Sequence, residues 1–393
     1  MTTEERKAED ARFRQEYPLF AQYPELIYLD NAATTQKPSC VIQAESAFYE
    51  KYNANPFRGV YELAEFATEH YEEARAAVAE LLHANTDEIV FTRNASESLN
   101  LIAYSLGNLV LRPGDEVLVS IMEHHSNLLV WQQAAKRTGA TLRYLDCTQD
   151  GKITAEMVEA AITDKTKIFA VTQISNVLGW KNDIKSFAEI CHRKGCLIVA
   201  DGAQSVPHID VDVKALDVDF LAFSGHKMMA GTGLGVLCGT RDALEMLAPR
   251  DFGGEMVGKV TQALTTWEEL PLRLEAGTPN YVGAIALGAA CDYLCALGRE
   301  EIAAYESELV NHAASVLGKI EGLHIAGSPR ERAGLVSFTI DDVHPLDLCT
   351  LVDARGVALR SGHNCAQPVL DWLGTSSVAR LSPAFYNTFA EID

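Results

Sequence analysis

A chain of 393 residues exceeds what one ordinary core holds, so two lobes are expected. Its 48% hydrophobic and 22% charged residues describe a soluble globular protein. Its net charge of -21, with a pI near 4.9, argues against nucleic acid or an anionic membrane as the main partner, since both repel an acidic surface. The N-terminus carries no apolar run of the secretory kind, and no uncharged stretch reaches the roughly 18 residues that span a bilayer, so the cytoplasm is the expected location.

In chain order, residues 4–16 are charged and predicted helical, part of an N-terminal arm (1–20) expected to pack with a small C-terminal domain. Ile27-Tyr28-Leu29 reads as a strand, and helical periodicity covers Cys40–Lys51 and Glu62–His83. Ile89–Thr92 is a strand, Ser98–Leu111 a helix stopped by Pro113-Gly114, Val117–Val119 a strand, Asn127–Arg137 a helix and Leu142–Tyr144 a strand. Strands Ile168–Thr172, Cys196–Ala200, Asp219–Phe223 and Val236–Cys238 follow, with a helix at Ile184–Lys194. Strands alternating with helices of this length predict parallel βαβ units in a doubly wound α/β sheet, forming a large domain over 21–283. A long helical region, Ala284–Ile320, then leads to strand Leu335–Ile340, helix Pro345–Arg355 and strand Val357–Arg360, a small α+β domain over 284–393.

Nine cysteines occur, none in a Cys-x-x-Cys or zinc-finger spacing, so buried free thiols and no metal site are expected. Cys365 differs. It sits among Arg360, Gly362, His363 and Asn364, a polar and flexible setting in which a thiol can be exposed and activated.

Two acid–base positions dominate the chemistry. Asp201 closes one apolar run and Lys227 lies just beyond the next, 26 residues on, each placed at the carboxyl end of a buried strand where ligands of open α/β sheets bind. A lysine there can form a Schiff base with the aldehyde of pyridoxal 5'-phosphate, and an acid can pair with the pyridinium nitrogen and keep it protonated. Gln204 beside the acid and Ser224 and His226 beside the lysine strengthen that reading. Asn94–Glu97, His124 and Asn176 fall on the same rim. Ala95 and Ser96 open a helix whose N-terminal amides suit a phosphate.

The motifs Leu29-Asp30-Asn31-Ala32-Ala33-Thr34-Thr35, Ser175-Asn176-Val177-Leu178-Gly179, Glu275-Ala276-Gly277-Thr278-Pro279-Asn280 and Arg360-Ser361-Gly362-His363-Asn364-Cys365 join the Asp201 and Lys227 segments. With them, the chain from about Tyr28 to Asp393 resembles the class V aminotransferase-fold family, and within it the SufS/CsdA group of cysteine desulfurases. The resemblance implies a fold type I enzyme that converts L-cysteine to L-alanine, leaves a persulfide on Cys365 and supplies sulfur for iron–sulfur cluster assembly. It implies phosphate contacts from Ser96, Ser224 and His226, and from Thr278 of a neighbouring subunit, hence a homodimer with shared active sites. His124 is implied to stack on the cofactor ring and shuttle protons, Gln204 to bond its phenolic oxygen, and Asn176 to touch cofactor and substrate. Arg380 is implied to hold the substrate carboxylate, with Arg360 second, and Arg58 to lie at the dimer face.

Four positions depart from the usual family pattern. Ala95 stands for a threonine, Tyr61 for a histidine, Trp180 for a small polar residue and Asn364 for a histidine. The segments Asp341–Asp347 and Cys365–Pro368 resemble desulfurases that hand sulfur to a small SufU-like acceptor, whose zinc the histidine at 344 can ligate; a SufE-like acceptor is the other type. A selenocysteine lyase, another lyase or an epimerase of the same fold is the alternative enzyme. A non-catalytic scaffold is the alternative class. Retention of Cys365 favours desulfuration over the first group, and the intact Asp201, Lys227 and Cys365 speak against the second.

Overall fold

The computed structural model describes residues 13–328 and 332–393. The predicted arm helix lies partly outside them, with residues 13–16 helical. The large sheet has seven strands: β1 (Ile89–Thr92), β2 (Glu116–Ser120), β3 (Thr141–Leu145), β4 (Thr166–Thr172), β5 (Leu197–Asp201), β6 (Phe220–Ser224) and β7 (Gly235–Gly239), in the order β1-β7-β6-β5-β4-β2-β3. Strands β2 to β6 pair in parallel, while β7 runs antiparallel to both its neighbours. The parallel strands therefore end together, which brings Ser120, Thr172, Asp201 and Ser224 to one rim.

Alternation along each strand explains the layers. Val90, Val117, Val119, Ile168, Ala170, Val199, Phe220, Ala222 and Leu237 face one core, under α3 (Ala95–Leu109) and α4 (Leu129–Thr138). Ile89, Phe91, Leu118, Phe169, Val171, Ile198, Ala200, Leu221 and Phe223 face the other. That face is covered by α2 (Glu62–Leu81), α5 (Ile184–Arg193) and α6 (Tyr281–Leu297). A strand buried on both faces reads as a continuous apolar run, which is how these appeared in the sequence.

The predicted helical region 284–320 is two helices, α6 and α7 (Arg299–Leu317), broken at Gly298, whose φ of +88° no other residue adopts without strain. The expected domain boundary at 283/284 falls inside α6, which packs with α2 in the large core. A four-stranded antiparallel sheet follows, in the order β10-β11-β13-β12. Its strands are β10 (Leu323–Ile325), β11 (Val336–Ile340), β12 (Arg360–Gly362) and β13 (Val378–Leu381); the hairpin β8 (Val257–Val260) and β9 (Thr265–Trp267) precedes it. The predicted strand 357–360 is divided: Val357–Ala358 pairs with Ile27–Tyr28, and Arg360 begins β12.

The two ends of the chain are stitched together. Asp30 bridges Ser382, Ser382 donates its amide to Leu29, and the Asn31 side chain bonds the Ser382 carbonyl and the side chains of Tyr386 and Asn387. Phe13, Tyr17 and Phe20 stack around Phe385 and Tyr386, and Arg14 pairs with Glu391. Among the described residues no single helix is long and apolar enough to cross a membrane.

Candidate active site

The rim of the large sheet and the edge of the small one enclose a cavity of about 340 Å³. It is lined by Ala95, Ser96, His124, Asn176, Asp201, Gln204, Ser224, His226, Lys227, Arg360, Cys365 and Arg380, so twelve of the thirteen site residues expected from the sequence meet there. Thr278 is the exception: it is exposed beside a second cavity of about 390 Å³ in the same chain.

One end of the cavity is the N-terminus of α3. Asn94 caps the helix by accepting the Glu97 amide at 2.9 Å, and Ser224 Oγ accepts that of Ala95 at 2.9 Å, which leaves the Ser96 amide for a ligand. Hydroxyls converge on the same point, with Ser96 and Ser126 Oγ 2.6 Å apart. The strand beside the cap must be glycine at 235, because a Cβ there stands 2.4 Å from Asn94 Cα. An N-terminal helix turn with free amide and hydroxyl donors fits a phosphate.

Asp201 ends β5, 4% exposed. Its Oδ1 accepts the Ala203 amide at 2.9 Å, the carboxylate's only hydrogen bond among the described residues. Burial raises the pKa of this carboxyl, against the pull of the Ala203 amide and of Lys227. Burial lowers the Lys227 amine to about 8, partly offset by Asp201 and assisted by Arg380. A lysine so placed is a nucleophile near neutral pH. The turn that presents it is held from the N-terminal motif. The His226 carbonyl accepts from Thr34 Oγ1 (2.9 Å), the Thr35 amide (3.2 Å) and Lys37 Nζ (3.0 Å), while Thr35 Oγ1 accepts the Met229 amide (2.8 Å).

His124 accepts the Ser126 amide on Nδ1 at 3.1 Å, which puts the proton of the neutral ring on Nε2. Burial first, then Lys227, His125 and Arg380, hold its pKa down at about 3, so the ring is neutral at physiological pH. His226 is lowered to about 4 by burial and Lys227. Gln204 donates to the Ala32 carbonyl at 2.7 Å and turns its remaining amide valence to the cavity.

Two arginines stand opposite each other in the small sheet, Arg360 on β12 and Arg380 on β13. Asp30 separates their like charges: it pairs with Arg360 through two Nε contacts of 3.0 and 3.1 Å and Nη2 at 2.7 Å, and lies 3.6 Å from Arg380 Nη2. Arg380 is 3% exposed, donates Nη1 to the Asn176 carbonyl at 3.0 Å, and keeps Nε buried without a partner. Burial brings it down to about 10, so it remains charged. A charged guanidinium among the residues lining the cavity fits a carboxylate.

Cys365 is half-buried on the loop after β12, with φ +55° following φ +50° at Asn364, consecutive left-handed residues that a cysteine adopts only under strain. The loop is pinned at both ends of the residue: His363 Nδ1 accepts the Cys365 amide at 3.0 Å and the Cys365 carbonyl accepts the His125 amide at 2.7 Å. His363, one of the polar neighbours in the setting expected to activate the thiol, thus bonds the cysteine backbone. Asn176 Nδ2 donates to the Asn364 carbonyl at 2.7 Å, tying this loop to the arginine site. Exposed Arg58 pairs with Glu255 at 3.1 Å, Tyr61 is exposed, and Trp180 is half-buried with Lys152 over its ring, all outside the cavity.

The roles of Asp30, Ser126 and the Thr34–Lys37 segment emerge only from the fold, although Asp30, Thr34 and Thr35 stand in a family motif. Asp30 finds Arg360 330 residues away and Gln36 finds Tyr386 350 away, which no local pattern reveals.

The class-V aminotransferase family model matches residues 27–393. The chain is 50% identical over 369 residues to a probable cysteine desulfurase of Halalkalibacterium halodurans, covering 94% of this chain and 91% of that protein. Among solved structures, the apo cysteine desulfurase of Thermococcus onnurineus NA1 superposes with a TM-score of 0.93 at 38% identity, over 97% of this chain and 95% of that one. The cysteine desulfurase CsdA of Escherichia coli gives 0.91 at 37%, over 98% and 96%. A shared fold, similarity over more than nine-tenths of each chain and a cavity that brings the expected lysine, acid and cysteine together place this chain in the class V aminotransferase family, on its cysteine desulfurase branch.

Proposed function

We infer that the protein is a pyridoxal phosphate-dependent cysteine desulfurase, and the observation that carries this is the meeting of Lys227, Asp201 and Cys365 in one cavity with an unpaired Arg380 donor. When bound, the cofactor supplies the electron sink that labilises the substrate. Ser96, Ser224, His226 and the first turn of α3 hold its phosphate, with Thr278 of a second copy completing the site in a homodimer. Asp201 holds its ring nitrogen protonated, Gln204 its phenolic oxygen, and Lys227 its aldehyde carbon. Arg380 binds the carboxylate of L-cysteine and Asn176 orients it, while Arg360, neutralised by Asp30, frames the entrance. The neutral His124, its Nδ1 held by the Ser126 amide, would present the Nε2 proton to the substrate.

The Cys365 thiolate then attacks the substrate sulfur. The substrate Cβ–Sγ bond breaks, an S–S bond forms on Cys365, and the carbon skeleton gains the proton and leaves as L-alanine. One thiol and one cysteine thus become one persulfide and one alanine. The 1–20 arm, large domain and small domain divide this work, the small one carrying Cys365. Nine free thiols suit a reducing, cytoplasmic setting, and iron–sulfur assembly is the expected use of the sulfur.

Incubation of the purified protein with L-cysteine should release alanine and leave Cys365 carrying an extra sulfur by mass. The Cys365→Ala form should bind the cofactor normally and accumulate no bound sulfur. Alanine formation unchanged in that variant would sink the assignment of Cys365 and favour a lyase.

A further inference from the structure

One buried acid at the site has no part in the chemistry above. Glu123 directly precedes His124 and is 0% exposed. Its Oε1 lies 2.5 Å from Ser120 Oγ at the end of β2 and accepts the Thr172 amide at the end of β4 at 3.0 Å. Its Oε2 accepts Asn127 Nδ2 at 2.6 Å, and Asn127 Oδ1 in turn accepts the indole N–H of Trp131 at 3.1 Å. The carboxyl therefore spans the turn His124–Asn127 and ties it to two strand ends, one of which, Thr172, lines the cavity beside Asp201. A buried polar group satisfied on every side has one geometry, so the turn has one position.

We propose that Glu123 is a positioning residue, a clamp that fixes the turn bearing His124 against the ends of β2 and β4 and thereby sets the imidazole in the cavity. The proposal rests on the desulfurase reading for what His124 faces. Burial, reinforced by the Asp201 charge, pushes the Glu123 carboxyl up to about 8, so it holds a proton at neutral pH. In either protonation state Oε1 must accept from Thr172 and Oε2 from Asn127. Glutamine cannot meet this requirement, because its NH2 faces either the Thr172 amide or Asn127 Nδ2. Turning the Asn127 amide does not help, since Oδ1 is needed by Trp131. Aspartate at 127 does help: it accepts both from a glutamine at 123 and from the indole.

The test compares the parent, Glu123→Gln, Asn127→Asp and the double variant. In the apo chain, Glu123→Gln should speed amide exchange of residues 125–128 by about tenfold or more while β5 and β6 stay protected. With cofactor bound, its visible circular dichroism should change and kcat should fall by about tenfold with KM within twofold, and the double variant should recover most of each. Unchanged exchange and dichroism in Glu123→Gln, or a double variant no better than the worse single one, overturns the clamp. A parent that binds no cofactor sinks the desulfurase reading instead, and the exchange experiment still decides the clamp.

Discussion

The floor of the cavity and the loop that closes it are built on opposite principles. Asp201 and Ser224 end paired, buried strands, and Lys227 sits on a turn gripped by Thr34, Thr35 and Lys37. Cys365 sits on a half-exposed loop with left-handed residues, held by single backbone bonds to His125, His363 and, through Asn364, Asn176. A group that must hold a cofactor through every turnover gains from rigidity. On the proposed reading Cys365 collects sulfur and gives it away, so it needs to leave its place, and strained, sparsely bonded backbone releases at low cost.

The comparison predicts that floor variants act at the cofactor, that loss of Cys365 stops sulfur transfer with the cofactor still bound, and that delivery-side variants spare both. Lys227→Ala should have the largest effect, with loss of the yellow cofactor band on denaturing isolation and of turnover by about 10³-fold or more. In the parent apo protein, covalent capture of the aldehyde requires the neutral amine. Because the Lys227 pKa is lowered, the capture rate should rise with pH and level off above about 8, followed by absorbance. A rate still climbing steeply at pH 10 contradicts a buried amine. Asp201→Asn should retain cofactor yet lose about 10²-fold in turnover. Asparagine keeps the Ala203 bond through its oxygen and turns a donor toward the ring nitrogen, which no longer stays protonated. Normal turnover in this variant breaks the pairing of Asp201 with the ring.

The smallest basal effect belongs to the delivery side. His344 is exposed at the N-terminus of α8 (Pro345–Asp353), beside a cavity of about 630 Å³ lined also by His324 and Asp342. Its Nδ1 accepts the Leu346 amide at 3.2 Å, which leaves Nε2 for an incoming metal. With a SufU-like zinc acceptor, His344→Ala should leave persulfide formation on Cys365 within about twofold of the parent and remove stimulation by the acceptor. Equal stimulation of both forms returns His344 to the role of a helix cap.

The sheet was legible because its central strands are buried on both faces and read as apolar runs between turns, whereas the edge strand β3 is partly exposed. The antiparallel sense of β7 was not legible, since direction leaves no mark in an apolar run. The hairpin β8–β9 escaped notice for the opposite reason: its residues are largely exposed and show no apolar alternation. The break at Gly298 hid inside continuous helical periodicity. At the site, residues whose chemistry is local to one strand end (Asp201, Lys227) could be read directly, and the roles of His124, Arg380 and Gln204 through resemblance. Glu123 stood in plain view between Met122 and His124, yet its meaning depends on Thr172 and Trp131, which only the fold brings to it.

The stitching of residues 29–31 to 382–387 has a consequence for how the molecule is made. Asp30, Thr34 and Thr35 leave the ribosome early, but Asn31 finds Ser382, Tyr386 and Asn387 only after nearly the whole chain has been synthesised. Contacts of such sequence separation close late, because the loop entropy they cost is met only once the intervening lobes are formed. A nascent chain halted before residue 382 therefore holds the acid, the lysine and the Thr34–Thr35 segment that grips its turn, but lacks the partners that anchor the start of that segment.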